Sequence, residues 1–416
     1  MHTGLSLSRD GDSVLKGPSI RFSCPRPLEP QTQEQTAPLD EELGGESRSE
    51  RYRKRIVGVK KKVVVAMSGG VDSSLTVFLL KEQGYDVIGA TMSLWKGQGQ
   101  ENLPRYLASP HVEEAEQVAQ QFGIPFQVVH LEEEFEKEIV QYFCSEYEKG
   151  RTPNPCVLCN RKIKFGVLLE KARELGADYL ATGHYARLEL DDRTGRSLLK
   201  KGVDKAKDQS YVLFSLNQSQ FQQSLFPLGE YRKEDVRRKS QQLGLRVHDK
   251  AESQEICFIG DNSYHPFLAA RLKESIMPGP IMDRAGHVIG MHKGIPFYTI
   301  GQRRGLGLAK GIPLYVIGID LQKNAVIVGK KEDVLADTFT VRVLNWIIPQ
   351  EKTFSAQVKI RYNHPGSEAV LTSKEKDEVE VRFHVPQKAI TPGQAAVFYD
   401  GETVVGGGWI EQVVRS

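Results

Sequence analysis

The chain has 416 residues, of which 26% are charged and 39% are apolar, and its formal net charge is +3. This length predicts two or three domains, and the composition is ordinary for a globular protein. No apolar run approaches the roughly 20 residues that span a bilayer, so we expect no membrane-spanning segment. Because the net charge is small, any binding to nucleic acid must come from local basic patches.

Residues 1–60 are polar, rich in Pro, Gln, Glu and Ser, and without apolar periodicity, which predicts a disordered arm. The arm lacks the apolar core of a secretory signal, and its acidic residues disfavour a transit peptide. Its basic end, residues 51–62, is either a solvated linker or an RNA contact. The chain has five cysteines, which are too few and too scattered to staple a secreted fold, so we predict a reducing, cytoplasmic setting.

Residues 61–210 alternate between strand and helix patterns. The predicted strands are 63–66, 86–92, 126–130 and 179–182, and the predicted helices after the first are 112–122, 132–149 and 163–175. Repeated strand–helix units predict an α/β fold with a doubly wound parallel sheet.

After residue 210 the sequence pattern changes twice, first to helical and then to β-rich. Residues 211–280 predict a small helical central domain that carries Cys257, with helices at 218–224, 233–243 and 266–274. From 281 to 416, short β-rich runs broken by Gly and Pro predict a small β-barrel. The clearest strands are 316–319, 325–328, 340–343, 356–360, 379–383 and 396–399.

The most informative stretch is the loop Ser-Gly-Gly-Val-Asp-Ser at residues 68–73, between the first strand and its helix. Its glycines permit a close approach to a ligand, and the first amides of the helix are left without intrahelical partners. Those amides, the helix dipole and the hydroxyls of Ser68, Ser73 and Ser74 predict an anion site. Because ligands bind at the carboxyl ends of parallel strands, Met92, Gly183 and His184 should share that crevice.

Two further stretches carry cysteines. Cys156 and Cys159 have the spacing of a CxxC motif in a proline-stiffened loop, and Cys257 lies among apolar residues. A helix start and the nearby cations Arg161, Lys162 and Lys164 should lower the Cys159 pKa from about 8.5 and favour its thiolate. A zinc site is the weaker alternative because a second pair of ligands is missing.

Six motifs occur in one order along the chain and carry a family resemblance. They are Ser-Gly-Gly-Val-Asp-Ser, Thr-Pro-Asn-Pro-x-x-x-Cys-Asn, Ala-Thr-Gly-His-Tyr, Lys-Asp-Gln-Ser-Tyr, Ile-Cys-Phe-Ile-Gly and Thr-Pro-Gly-Gln. The first resembles the loop of the ATP pyrophosphatases, and the set resembles the tRNA-specific 2-thiouridylases, the MnmA/TrmU family, from about residue 61 onward. The resemblance implies that ATP, with Mg²⁺, adenylates the O2 atom of a tRNA wobble uridine, and that a persulfide sulfur then displaces AMP.

The resemblance also implies a role for each matched residue. Cys257 is expected to carry the persulfide and Cys159 to free the sulfur, leaving a transient disulfide between them. The expected ATP-binding residues are Ala66, Met67, Ser68, Gly69, Gly70, Val71, Asp72, Ser73, Met92 and Gly183. The expected tRNA-binding residues are Asn154, Pro155, Cys156, His184, Asp208, Gln209, Ser210, Arg361, Tyr362 and Gln394. A cysteine desulfurase relay or another persulfide donor is the implied partner.

One departure keeps the mechanism open. Many family members have Asp where this chain has Cys156, so Cys156, Cys159 and Cys257 together offer three thiols that could hold an iron–sulfur cluster. Two other functional classes remain at this point. An amide-forming synthetase would share the loop but would not need Cys257, and an RNA-binding module would not form AMP.

Overall fold

The computed structural model describes residues 60–94, 110–245, 256–259, 263–308, 311–375 and 377–414. The predicted arm up to residue 59, with Cys24 and most of the basic stretch, lies outside the described residues. Across the described ranges, no helix is long and apolar enough to cross a membrane. Residues 47–416 cluster as one compact unit, so the domain boundaries at 210 and 280 stay predictions.

The first sheet is parallel and lies in the N-terminal half of the chain. Its strands are β1 (Lys62–Ala66), β2 (Asp86–Ser93), β3 (Phe126–His130), β4 (Tyr179–Ala181) and β7 (Ser224–Leu225). Within the described residues they pair in the order β3-β2-β1-β4-β7, all parallel. The central position of β1 explains its uninterrupted run of buried valines.

Helices cover both faces of this sheet. They are α1 (Val71–Glu82), α2 (Pro110–Phe122), α3 (132–148, π-helical over Glu136–Val140) and α4 (155–174, π-helical over Asn160–Leu168). Val64 of β1 belongs to the same apolar cluster as Phe143 of α3 and Phe165 of α4. Its neighbours Val63 and Val65 belong to another cluster, with α1 and α2. The predicted doubly wound sheet is therefore confirmed.

The start of α4 differs from the prediction, which placed the helix at 163–175 after a cysteine-bearing loop. The helix begins at Pro155, so Cys156 and Cys159 lie in its first turns. The side chain of Asn154 caps it by accepting a hydrogen bond from the Val157 N–H at 3.4 Å, and proline fits the first helical position. This Asn-Pro signal determines where the helix starts, whereas the apolar periodicity used for the prediction becomes visible only later.

The predicted strands 316–319 and 325–328 lie in a separate sheet, outside the barrel region in which they were predicted. From residue 335 onward the chain forms the predicted β-barrel. Its strands are β12 (Leu335–Trp346), β13 (Thr353–Lys359), β14 (Ser367–Ser373), β15 (Glu378–Lys388), β16 (Ala395–Asp400) and β17 (Thr403–Val414). In the described chain they pair in the order β12-β15-β14-β13-β16-β17, and β17 pairs with β12 to close the barrel.

A hairpin from the N-terminal half extends the barrel sheet. Its strands, β5 (Ala186–Asp191) and β6 (Arg196–Lys201), were not among the predicted elements. Strand β6 pairs with β17 through Thr403 and Val404, and this pairing joins the N-terminal half of the chain to the barrel.

Between the parallel sheet and the barrel lie short helices and a small mixed sheet. The helices are α5 (Gln218–Gln222), α6 (Lys233–Gln242) and α7 (His265–Arg271). The strands are β8 (Gly279–Met282), β9 (Val288–His292), β10 (Tyr315–Asp320) and β11 (Ala325–Gly329). Single-turn 3₁₀ helices occur at Ser210–Leu213, Pro227–Glu230, Ile295–Phe297 and Glu332–Val334. Ile281, Val316 and Val326 form part of the core of the mixed sheet.

Candidate active site

The loop between β1 and α1 is held in a conformation that requires glycine. Gly69 has φ +66°, and a Cβ there would meet the carbonyl oxygen of His111 at 2.7 Å. A side chain would therefore both strain the backbone and collide with the start of α2. Gly70 caps α1 without a side-chain hydrogen bond, so the first amides of the helix stay available to a ligand.

The three serine hydroxyls near the loop make different contacts. The Ser73 hydroxyl accepts a hydrogen bond from the Ser68 N–H at 3.2 Å and donates one to the Gly70 carbonyl at 3.1 Å. The Ser74 hydroxyl also donates to that carbonyl, at 2.9 Å. Ser73 and Ser74 therefore brace the loop, whereas Ser68 is exposed and is the serine of this loop best placed to meet a phosphate.

The predicted strand-end residues lie beside this loop. Because β2, β1 and β4 are neighbours, the chain segments that follow them emerge at one edge of the sheet. A Cβ on Gly183 would lie 2.9 Å from the Cβ of Asp72, so the chain after β4 touches the nucleotide loop. Met92 is half-buried near the end of β2.

Asp72 of the loop is tied to a lysine that the sequence analysis missed. The ammonium of Lys233, at the start of α6, lies 2.8 Å from both Asp72 carboxylate oxygens. The Tyr185 hydroxyl donates a further hydrogen bond to Oδ1 at 2.7 Å. The Lys233 side chain is only 7% exposed and that of Asp72 is 31% exposed, so the pair is largely withdrawn from water. Asp72 thus anchors the loop to α6.

His184 is buried in this structure. Its Nδ1 lies 2.7 Å from the Thr182 hydroxyl, and its ring contacts those of Phe165 and Phe226. Burial and the nearby charge of Lys164 hold the His184 pKa well below its ordinary value, so the ring is neutral. Its role in binding tRNA stays a prediction.

The thiols predicted to do chemistry form one cluster. Cys159 is buried, whereas the side chains of Cys156 and Cys257 reach solvent. Cys159 interacts electrostatically with both Cys156 and Cys257, and Lys164 acts on all three. All of the described cysteines are free thiols, and the predicted Cys159–Cys257 disulfide is not formed here.

The expected lowering of the Cys159 pKa is wrong for this conformation. Burial raises the Cys159 pKa to about 12, and the charge of Lys164 only partly opposes that effect. Burial also raises the pKa values of Cys156 and Cys257. The cause is the position of Cys159 inside the helix and against the core, rather than just before an exposed helix start. The thiols are therefore neutral at pH 7 in this state.

The thiol cluster does not have the arrangement of a metal centre. No group of three His, Cys, Asp or Glu side chains within the described ranges could hold a metal ion. The three thiols do not fit an iron–sulfur cluster in this conformation.

Phe258 fixes the position of Cys257. Its ring is buried and makes edge contacts with Phe135 and Phe143 of α3, with centroids 5.6 and 5.3 Å apart. A further contact with Phe267 of α7 lies at 5.4 Å. These contacts hold the exposed thiol beside α4.

Some of the expected tRNA-binding residues are exposed and others are buried. Tyr362 is 38% exposed, and its ring contacts that of the buried Tyr211, whose hydroxyl donates to the Ala395 carbonyl. Arg361 is exposed and donates to the Lys388 carbonyl at 3.1 Å. Beneath them, the Asp208 carboxylate is buried and accepts hydrogen bonds from the backbone and the hydroxyl of Ser210.

Two residues predicted to bind tRNA instead make hydrogen bonds to protein backbone. The Gln394 side chain donates to the carbonyls of Thr152 and Pro153 at 3.0 and 3.1 Å, joining the barrel to the start of α4. The Gln209 side chain accepts a hydrogen bond from the Tyr185 N–H at 3.0 Å. In this conformation both side chains hold protein backbone, and their contacts with tRNA stay predictions.

The difference in burial among the thiols predicts a graded reactivity. Iodoacetamide should modify Cys156 and Cys257 before Cys159. Because the Cys159 pKa is about 12, its thiolate fraction and alkylation rate should rise about tenfold per pH unit well beyond pH 8.5, where an ordinary thiol levels off. Peptide mass spectrometry across a pH series measures each rate. Lys164→Gln should slow all three, and a plateau for Cys159 near pH 8.5 would contradict its burial.

Known proteins resemble this chain closely. The "tRNA-specific 2-thiouridylase MnmA 1" of Caldanaerobacter subterraneus is 52% identical over 86% of this chain and 100% of its own length. The chain belongs to the tRNA-specific 2-thiouridylase family. MnmA proteins of Carboxydothermus hydrogenoformans and Heliobacterium modesticaldum are 49% and 50% identical over 85% of this chain, and over 98% and 93% of their own lengths.

Three domain families match successive segments of this 2-thiouridylase chain. Residues 61–261 match the "tRNA methyl transferase HUP domain", 265–330 the "tRNA methyl transferase PRC-barrel domain" and 336–410 the "Aminomethyltransferase beta-barrel domain". Sequence reasoning missed Lys233 and the packing role of Phe258. Phe258 lies within the quoted Ile-Cys-Phe-Ile-Gly motif and could have been found there, whereas Lys233 has no local signal for its pairing with Asp72.

Proposed function

We propose that this chain is a tRNA-uridine 2-sulfurtransferase that uses ATP to adenylate O2 of the wobble uridine and then replaces that oxygen with sulfur. Adenylation releases pyrophosphate and converts O2 into a leaving group. Sulfur then attacks C2 and expels AMP. The loop at 68–73 would hold the phosphates, and the thiol cluster would supply the sulfur.

The observation that carries the proposal is the proximity of separate chemical parts. Cys159 and Cys257 act on each other electrostatically although they are far apart in sequence. Lys164 acts on both thiols and also on His184, which follows Gly183. Gly183 in turn touches Asp72 of the nucleotide loop. A base adenylated at that loop would therefore have a sulfur nucleophile nearby.

The sulfur step balances as follows. The terminal sulfur of a Cys257 persulfide forms a bond to C2 while the C2–O2 bond to AMP breaks. The Cys159 thiol then attacks Sγ of Cys257 and cleaves the sulfur–sulfur bond, leaving the sulfur on the base. The product is a Cys159–Cys257 disulfide, which a thiol or dithiol reductant must reduce before the donor reloads Cys257. The exposed Cys257 suits an incoming donor, and the buried Cys159 suits an internal partner.

Sulfur transfer fits the site better than methyl transfer, although the descriptions of all three matched domain families name a methyltransferase or an aminomethyltransferase. A methyl donor that is already activated needs no phosphate loop. A loop with exposed helix amides beside reactive thiols is instead suited to activation by a nucleotide followed by nucleophilic displacement.

The remaining partners follow from the same chemistry. We propose that Mg²⁺ arrives with ATP on its phosphates, since the described residues offer no dedicated group of metal ligands. A cysteine desulfurase relay is the proposed sulfur source, and a reducing cytoplasm is the proposed setting because free thiols are needed.

The direct test is to incubate the chain with ATP, Mg²⁺, a persulfide donor and a tRNA transcript containing a wobble uridine. Mass spectrometry of the digested tRNA should show 2-thiouridine, in proportion to the AMP formed. A transcript with cytidine at the wobble position is the matched control and should stay unmodified. AMP formation without any thiolated nucleoside would refute the proposal.

A further inference from the structure

Two lysines near the barrel are half-buried without an acidic partner. Lys201 ends β6 and Lys359 ends β13, and their ammonium groups lie over buried tyrosine rings. The Lys201 Nζ is 4.5 Å from the ring centroid of Tyr399, and the Lys359 Nζ is 5.9 Å from that of Tyr211. Lys201 donates hydrogen bonds only to neutral oxygens, those of Gln357 and Gly401. Among the described residues, neither lysine forms an ion pair with a carboxylate.

The charge of this lysine pair is poorly compensated. Asp208 favours the charged forms of both lysines, but its oxygens already accept hydrogen bonds from Gly202 and Ser210. Glu402 also favours the charged form of Lys201, but it is paired with Arg187. Burial lowers the pKa of each lysine, and the charge of Lys201 lowers that of Lys359 further. Holding two cations partly out of water beside each other costs free energy unless an anion binds them.

We propose that Lys201 and Lys359 form a phosphodiester-binding site for the RNA substrate. The inference rests on the proposed function, because it takes tRNA as that substrate. Ammonium groups bind phosphate as point charges with several donors. Exposed Tyr362 packs against Tyr211 and offers a ring on which a nucleotide can stack, so a phosphate and a base can be bound side by side.

This site is connected to the cysteine segment. The Tyr211 ring beneath the Lys359 ammonium carries a hydroxyl that donates to the Ala395 carbonyl at 2.9 Å, and the Asn154 side chain lies close enough to influence the Tyr211 pKa. Asn154 caps α4 just before Cys156. A phosphate held by the lysine pair therefore belongs to a nucleotide close to the base that enters the crevice.

The test compares variants in tRNA binding over a salt series. Lys359→Met and Lys201→Met should each weaken binding about tenfold at low salt and reduce the salt slope by about 0.7–0.9. Lys352→Met is the matched control, because this substitution removes the same charge from an exposed lysine just before β13. That control should keep the slope, and Lys359→Arg should restore it.

Stability gives an independent readout. A ligand-binding cation is retained at a cost to stability, so Lys359→Met should melt at the same or a higher temperature than the unaltered chain. A lower melting temperature together with an unchanged salt slope would assign the lysines a structural role and overturn the inference.

A further measurement distinguishes binding of an RNA phosphate from binding of an ATP phosphate. The KM for ATP should not change in either variant, since the nucleotide loop is a different site. A raised KM with an unchanged RNA slope would assign the lysines to ATP and overturn the inference. An unchanged slope leaves the proposed function intact, because that function is read from 2-thiouridine formation by the unaltered chain.

Discussion

Cys257→Ser should abolish 2-thiouridine formation while tRNA-dependent pyrophosphate release continues. Serine cannot form a persulfide, so sulfur transfer should fall by at least about 1,000-fold. Adenylation uses the loop at 68–73 and needs no thiol, so it should persist. Pyrophosphate release and nucleoside mass spectrometry, measured on the same reactions, separate the two steps. Thiolation at the normal rate by this variant would end the persulfide mechanism proposed here.

Two further cysteine variants make this experiment specific. Cys159→Ser should stop turnover at a covalent complex in which Cys257 is joined through sulfur to the tRNA, and this complex should dissociate under thiol reductant. Cys156→Ser is the matched control, because Cys156 shares the charge environment of Cys159 and Cys257 but has no assigned sulfur step. It should retain most of the activity. Loss of activity in all three variants would favour a mechanism that needs three thiols.

The parallel sheet could be predicted from the sequence because each of its parts has a local signal. Central strands read as unbroken β-branched runs, and β3 was predicted with the bounds that the structure has. The glycine loop after β1 could also be interpreted, since its residue types and its place after a strand restrict what it can do. Nucleotide binding therefore followed from a few adjacent residues.

Pairings across the chain could not be predicted in this way. The hairpin of β5 and β6 lies in a polar stretch and is stabilised in part by pairing with β17, which comes much later in the sequence. The thiol pKa values depend on burial, which local sequence does not determine. The presence of Cys159 near a helix start suggested a low pKa, but packing against the core reverses that expectation.

Breaking the Asp72–Lys233 pair should have the second largest effect, and it should fall on adenylation. Asp72→Asn keeps the shape of the side chain but removes the carboxylate charge that faces the ammonium of Lys233, whose side chain is only 7% exposed. Loss of one member of a largely buried pair costs about 3 kcal/mol of folding free energy, so we expect a lower melting temperature. Pyrophosphate release should slow by about 100-fold, because the loop that positions the phosphates is no longer held against α6. Sulfur transfer from preloaded Cys257 to a base that is already adenylated should change little.

A double-mutant cycle separates the ion pair from other effects of the substitutions. Lys233→Met alone leaves Asp72, which is partly exposed and can be hydrated, so it should destabilise the fold less than Asp72→Asn does. The double variant Asp72→Asn/Lys233→Met also removes the Lys233 ammonium, so part of the lost stability should be recovered, with a coupling energy of about 1–3 kcal/mol. Pyrophosphate release should not recover with it, because the loop is then no longer tied to α6. Additive effects on stability would mean that the contact at 2.8 Å contributes little in solution. Recovery of adenylation in the double variant would mean that the loop keeps its position without this anchor.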